Sequence, residues 1–555
     1  MAADRKIRSV GDRCRHQHFL LRVGPHPHAL TRARRSARAY LEQNVATFLR
    51  APATGIAVVI VATAILAGQA TTPFDVKAFG AKGDGRALDT DAINKAISAA
   101  HAAGGGTVRF PGGSYLSTSI HLQSNVGLFI DHGATIVAAD TSAGPYDEPE
   151  PNAWDKFQDF GHSHWHNALI WGEGVENVSI TGQGLIHGRG LVRNHNDTTP
   201  KGTGDKAISL KNSRNVVIRD VSILHGGWFA ILATGVDNFT IDNIKIDTNR
   251  DGIDVDACKN VRISNVTVNS PFDDGICLKS SYGLGSAKPT ENVTITNCQV
   301  SGYDEGTLLD GTFKRTVKYN RGTTGRIKFG TESNGGFKNI TISNCVFEYS
   351  RGLAIESVDG ALVEDVTINN LTMRDIVNAP IFVRLGNRAR APTSHPSPGT
   401  IARVRISNVV ASNVDSRHGV LISGIPGHPI EDMALSDIRI AYQGGGTDAD
   451  AALEPPEKEN EYPEPDMFGN IPAYGLYARH VRGLTARDIR FTVDKADARP
   501  AFRFEDAAGV DLERIGVPRG AARTLFTLRS VTDFLLRNSP GLPDMKRATV
   551  EKESF

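Results

Sequence analysis

The chain has 555 residues with 62 Lys and Arg against 61 Asp and Glu, a formal net charge of +1, so its charge gives no reason to expect a nucleic-acid partner. Hydrophobic residues at 40% are ordinary for a globular protein, and 56 glycines suit a fold with many tight turns. Length alone allows several domains.

Met1 to Asn44 is rich in Arg and His and has no apolar periodicity. Arg50 and then Gly55 to Ala67, an unbroken run of small and aliphatic residues, follow it and end near Gly68-Gln69-Ala70. That run is short for a membrane span and has the order of a signal peptide. Residues 45–70 are therefore expected to be a signal peptide, with 1–44 a basic extension from a start assigned too far upstream. This predicts a secreted or periplasmic protein without stable membrane insertion after cleavage; a retained membrane anchor is the alternative.

The next segment predicts a strand at Asp75 to Phe79, a loop at 80–85, and an amphipathic helix from Asp89 to Ala103 that is stopped by glycines. Asp89 or Thr90 is placed to cap that helix, which would cover the open end of the sheet that follows. Further on, His162, His164 and His166 alternate, which on an extended strand would put them on one face as zinc ligands, sugar contacts or packing. Trp154, Trp165 and Trp228 offer sugar-stacking faces or buried anchors.

From about Asn177 a short phrase returns: Asn177-Val-Ser-Ile, Asn215-Val-Val-Ile, Asn238-Phe-Thr-Ile, Asn260-Val-Arg-Ile, Asn292-Val-Thr-Ile, Asn339-Ile-Thr-Ile and Asp365-Val-Thr-Ile. It continues more weakly through Arg403 and Asp432. Each phrase alternates apolar and polar residues as a half-buried strand does. Spacings of about two dozen residues, or larger where segments are inserted, leave no room for crossover helices. The predicted fold is all-β, a single-stranded right-handed parallel β-helix with an N-terminal capping helix, over residues 71–545. Cys298 and Cys345 hold matching stations in this repeat, each after Thr-Ile-(Thr or Ser)-Asn, as members of an inward ladder. Together with Cys258 and Cys277 they read as buried thiols, since C-x-x-C pairs are missing.

Within the repeats Asp251-Gly-Ile-Asp254 recurs as Asp274-Gly-Ile-Cys277, 23 residues later, and Asp273 precedes the second copy. A 23-residue offset equals the coil length around it, so Asp251 and Asp274 should be stacked about one strand spacing apart, ~4.8 Å. Stacked carboxyls repel, which keeps a proton on one of them and supplies an acid and a base from one residue type. Acids at solenoid turns also cap backbone N–H groups, which is the structural alternative.

These residues closely resemble glycoside hydrolase family 28, the polygalacturonases and their relatives. Asn249-Arg250-Asp251-Gly252 is similar to the family's Asn-Thr-Asp-Gly motif and Asp273-Asp274 to its Asp-Asp motif, followed by a strand ending in Lys279. The first coil, from Phe74 to Ile136, resembles the cap of the pectate-lyase superfamily. The resemblance implies inverting hydrolysis of a pectin-like polysaccharide without a metal or other cofactor. Asp273 would be the general acid, Asp251 and Asp274 would hold the attacking water, and Asn249 and Lys279 would contact the sugar. The family's Gly-His-Gly has no counterpart: Tyr303-Asp304-Glu305-Gly306 and Thr323-Thr324-Gly325 compete for its station without a histidine. Its Arg-x-Lys station reads Ala354-Ile355-Glu356, and Glu356 would repel a uronate. Arg326 and Lys328, one residue apart on a predicted strand, are the candidates to replace that pair, whereas Lys314, Arg315, Lys318 and Arg321 read as a solvated loop. The segment Glu454 to Asp466, acidic and rich in proline, is expected to be a loop near the cleft. Two other functions fit the same residues: β-elimination at a Ca²⁺ held by the three acids, and carbohydrate binding by a solenoid without chemistry.

Overall fold

The computed structural model describes residues 74–318, 322–516 and 524–555; the segments expected to be a basic extension and a signal peptide lie outside them. The Asn that opens each phrase turns a corner. Asn177, Asn215, Asn238, Asn260, Asn292 and Asn339 have φ between 54° and 59°, the left-handed region that Asn tolerates better than most residues. Each of these side chains donates Nδ2–H to Oδ1 of an asparagine one coil earlier, at 2.8–3.1 Å, in a ladder that runs back to Asn125. Asp365, Arg403 and Asp432 keep the same station, with φ of 58°, 54° and 45°. The Asn that closes many phrases marks a second corner, with Asn265, Asn297, Asn344, Asn370 and Asn408 again at positive φ.

The apolar residues between the corners build the core. Ile180, Ile218, Ile241, Ile263, Ile295, Ile342, Ile368 and Ile406 pair coil to coil in one column, each no more than 1% exposed. Burying each such side chain is worth about 1.5–3 kcal/mol, so stacking coils is the main source of stability and no coil has a complete core alone. The ladders between named strands are parallel from Phe74 to Arg537, in the order of a right-handed parallel β-helix. Cys298 and Cys345 are buried on adjacent coils, and Cys258 and Cys277 are buried as well.

Both ends of the sheet are covered. At the start, the helix Thr90–Ala102 buries Ile93, Ala96, Ile97 and Ala100 against the first coil. At the finish, Met545–Ser554 turns back and pairs antiparallel with Phe526–Arg537. Two local expectations are corrected. Only Phe74–Asp75 is a strand, because the Asp75 side chain accepts the Lys77 N–H at 2.9 Å and winds Val76–Phe79 into a 3-10 turn. Asp89 stands at the helix start but does not cap it with its side chain; the carboxylate accepts from the N–H groups of Lys82 and Gly83 instead. Among the described residues no helix is long and apolar enough to cross a membrane.

Candidate active site

The strand Asp251–Asp256 pairs with Ile276–Ser280, Ile253 opposite Ile276. The offset of 23 carries back one turn and sets Asp251 against Asp274, where the Gly252 N–H donates to the Asp274 carbonyl at 3.0 Å. Glycine is required at 252: a Cβ there would lie 2.4 Å from the Gly275 carbonyl oxygen and from Val268, which is why the acid is written as Asp-Gly. Asp273, Asp251 and Asp274 bring one carboxylate oxygen each within 4.8 Å of one another. Asp251 and Asp274 are buried, and Asp273 is half-buried at the mouth, with its backbone carbonyl held by the Gly325 N–H at 2.9 Å.

The stacked acids are pushed in opposite directions by their surroundings. Burial alone would push the Asp274 carboxyl up, but Lys328 and Arg326 outweigh it and hold this group well below the usual carboxylate range. Arg326 Nε donates to Asp274 Oδ1 at 2.7 Å, and Lys328 Nζ stands 3.3 Å from Oδ2. Among the described residues no cation is paired with Asp251; burial, then Asp254 and Asp273, outweigh the more distant Lys279 and push it well above that range. The surroundings thus favour the anion at Asp274 and the protonated form at Asp251.

Arg326 and Lys328 do project to one side, as their spacing predicts. Lys328 lies opposite Cys277 on one neighbouring coil and Ala354 on the other, so this pair sits one turn before the family's Arg-x-Lys station. Both side chains are buried among carboxylates. Arg326 also binds Glu464 at 2.5 and 3.2 Å, and Lys328 lies 3.5 Å from Glu356 and donates to the Tyr462 hydroxyl at 3.2 Å. Burial, opposed by Lys328 and Arg326, pushes Glu356 up to about 7. Tyr462 and Glu464 belong to the acidic, proline-containing segment, which does reach the site; Arg351 adds a 2.7 Å bond to Glu464.

Lys279, expected to contact sugar, points into a second buried cluster, 2.9 Å from Glu332 and 3.9 Å from Asp254. Asn249 lies half-buried in the bend before Asp251, and its carbonyl accepts the Phe272 N–H. Arg250, where the family motif has Thr, reaches Asp273 at 2.9 Å and lies over the rings of Trp228 and Phe272. Sequence reasoning missed Asp254, Glu332, Arg351 and Glu464 as site members. Asp254 was visible inside the repeated Asp-Gly-Ile-Asp, and Glu464 inside the acidic segment; Glu332 and Arg351 carry no signal beyond their stations.

The three histidines do not share a face. A 3-10 turn at Phe160–His162 breaks the extended run, so His162 turns towards Asp254 and Glu332, both at 3.8 Å, His164 to the Glu150 carbonyl, and His166 to Glu173. Glu150, His166 and Glu173 come within 4.8 Å of one another, but Lys211 lies 3.3 Å from Glu150 and 3.1 Å from Glu173 and balances their charge. Trp165 is a buried anchor that donates to Thr234, Trp228 lies beneath Arg250, and Trp154 is at the surface against Tyr282.

Residues 152–307, which hold the three acids, match the model of "Glycosyl hydrolases family 28". Over this segment the chain is similar to that family. It is a glycoside hydrolase, and residues 74–146 match "Rhamnogalacturonase A/epimerase, pectate lyase-like". Among similar proteins, a "Probable polygalacturonase" of Vitis vinifera is 27% identical over 385 residues, covering 65% of this chain and 73% of its own. An "Endo-polygalacturonase" of Pectobacterium carotovorum subsp. carotovorum is 26% identical over 338 residues, covering 55% and 81%. The solved exopolygalacturonase of Thermotoga maritima shares the fold with a TM-score of 0.54 and 20% identity, covering 67% of this chain and 87% of its own.

Proposed function

We propose that this glycoside hydrolase is exported and cleaves a glycosidic bond of a pectic polysaccharide with inversion, using Asp251, Asp273 and Asp274. The observation that carries the reading is the cluster of three acids with one carboxylate oxygen each within 4.8 Å of one another, in which Asp274 is paired with Arg326 and Lys328 while Asp251, beside it, is pushed towards its neutral form by burial. Asp274 is the carboxylate that orients and polarises the attacking water. Asp273, the most exposed of the three, delivers the proton to the leaving oxygen, and Asp251 holds the other side of the water. The three are closer than the roughly 6.5–9.5 Å usual between the acid and base of inverting enzymes, so the water is bound at the side of the cluster rather than between two opposed acids.

Arg326 and Lys328 keep a net positive edge towards a uronate only in part, since Glu356 and Glu464 share them. The substrate class is for that reason pectic in the broad sense, uronate or rhamnose-containing. Turnover on a panel of both kinds of glycoside, with the anomer of the first-formed product read by NMR, tests the proposal: the inverted anomer is expected, and the retained anomer contradicts the assignment. Dialysis against a chelator should leave the rate unchanged and no unsaturated product should absorb, because Arg326 and Lys328 already supply positive charge at Asp274. A rate lost on chelation supports the lyase alternative, and no turnover on the whole panel supports the binding solenoid.

A further inference from the structure

The basic pair that sequence spacing offers to a uronate is covered by the protein itself. Arg326, Lys328 and Arg351 are between 1% and 7% exposed. Besides holding Asp274, Arg326 donates to Glu464 together with Arg351, and Lys328 donates to the Tyr462 hydroxyl. The segment that carries Tyr462 and Glu464 is fixed rather than loose. Arg384 and Arg479, both buried, donate to the carbonyls of Pro455, Pro456, Glu457 and Lys458. Arg417 holds Asp466 at its far end, and the Glu459 carbonyl accepts the Asn387 N–H from the turn after Leu385 at 2.7 Å. That turn is tied in its own right to the segment of His162, through Arg390 on Asp159 at 3.0 Å, so the inserted segments form one rim. Lys279 is spent in the same way on Glu332.

Arg250 is placed differently. It stands in the bend before Asp251 with its side chain 24% exposed, and its Nη2 lies 2.9 Å from a carboxylate oxygen of Asp273, which is itself 25% exposed. The guanidinium lies over the rings of Trp228 and Phe272, 5.7 and 5.5 Å from their centres. Trp228 is buried and Phe272 is 53% exposed, so the group is backed by the solenoid wall and reaches the mouth. Its Nε has no hydrogen-bond partner among the described residues; Asp273 therefore satisfies only part of a group with five N–H donors. A planar cation backed by rings keeps its fork in one orientation, which is the geometry that pairs with a carboxylate.

We infer that Arg250 holds the carboxylate of a uronate at the cleaved bond, and that this carboxylate takes the place of Asp273 on the guanidinium. The inference rests on the hydrolase reading above and narrows its substrate to the uronate kind. Once Arg250 is drawn to the sugar, Asp273 is left between two anions, Asp274 and the bound carboxylate, with no cation of its own, and such a setting favours the protonated acid. Asp273 takes up a proton from solvent and passes it to the leaving oxygen while water adds to the anomeric carbon and gives up its own proton. It ends as the anion that pairs with Arg250 when the product leaves. A neutral sugar leaves the ion pair in place and the proton donor unready.

The test uses two matched substrates, galacturonate oligomers and the same oligomers with their carboxyls methyl-esterified. Wild-type enzyme should cleave the acid form with a kcat/KM about tenfold higher or more, an advantage that shrinks as salt is added. Equal use of the two forms, or an advantage indifferent to salt, overturns the inference and leaves the hydrolase reading intact. In Arg250→Gln the KM for the acid form should rise about tenfold or more, and kcat on the ester should rise several-fold because Asp273 is no longer held. Arg250→Lys, which keeps the charge without the fork, should have a KM between the two. An unchanged KM for the acid form overturns the grip, and a kcat on the ester that does not rise, in a variant that melts with the wild type, overturns the exchange with Asp273. If Arg250→Gln does not fold, the Lys variant and the salt dependence of the wild type decide. Wild-type enzyme that cleaves neither form nor any other pectic glycoside contradicts the proposed function itself, and this inference with it.

Discussion

At the scale of single residues, the pairing of Asp274 with Lys328 and Arg326 decides both chemistry and stability. Its depressed titration means that Asp274 contributes stability fully above about pH 4, the range where it is ionised even when unfolded, and loses it as the pH falls through the lower folded value. Lys328→Met leaves a buried carboxylate with one cation fewer, at a cost of about 3 kcal/mol. Urea unfolding should show that difference at neutral pH and show it shrinking below about pH 4; a difference independent of pH contradicts the pairing. Glu356, beside the same lysine, has the opposite tendency and can become neutral near pH 7, so it is the less damaging partner to leave alone. The stacked acids were legible in the sequence because the repeat length and the Asp-Gly spacing are the same number. Their counter-ions were legible only in part: Arg326 and Lys328 from their alternation, but not Glu332 and Glu464, whose positions depend on which coil and which inserted segment meet in space.

At the scale of the element, the coil corner is the unit the sequence spells most clearly. The opening asparagine combines a left-handed backbone with a side chain that bonds to the coils before and after it, so both uses act at every repeat from Asn177 to Asn292. Asn260→Ala removes two ladder bonds, to Asn238 and from Asn292, and puts alanine at φ 59°. A loss of about 1.5–3 kcal/mol is expected in chemical denaturation, the sum of lost bonds and left-handed strain; Asn260→Gly should lose less, because only the bonds go. Equal losses in the two variants contradict the backbone half of this explanation. The strand pattern read well for the same reason that the histidine run did not. Alternation in Asn-Val-Thr-Ile is enforced by a buried core on one side, whereas His162, His164 and His166 lie in an inserted segment where nothing enforces an extended chain, and a 3-10 turn separates their directions.

At the scale of the whole molecule, the solenoid supplies a straight wall on which acids can be stacked, and the inserted segments decide who may approach them. The coil core is continuous on both sides of the site, so the geometry of Asp251, Asp273 and Asp274 is set by stacking that many residues share. The rim is set instead by a few long-range bonds, such as Arg390 to Asp159, 231 residues apart. Sequence reading reached the wall and the three acids because they repeat; it placed the acidic segment near the cleft without its contacts, since nothing in Glu454 to Asp466 repeats. The measurement that bears most directly on the account is turnover and sugar binding by Asp273→Asn, which keeps the shape of the side chain at the mouth and removes its proton transfer. Turnover should fall by about three orders of magnitude or more while the dissociation constant of a product sugar changes only a few-fold, and a variant that still hydrolyses at near the wild-type rate would contradict the assignment of these acids as the reacting groups.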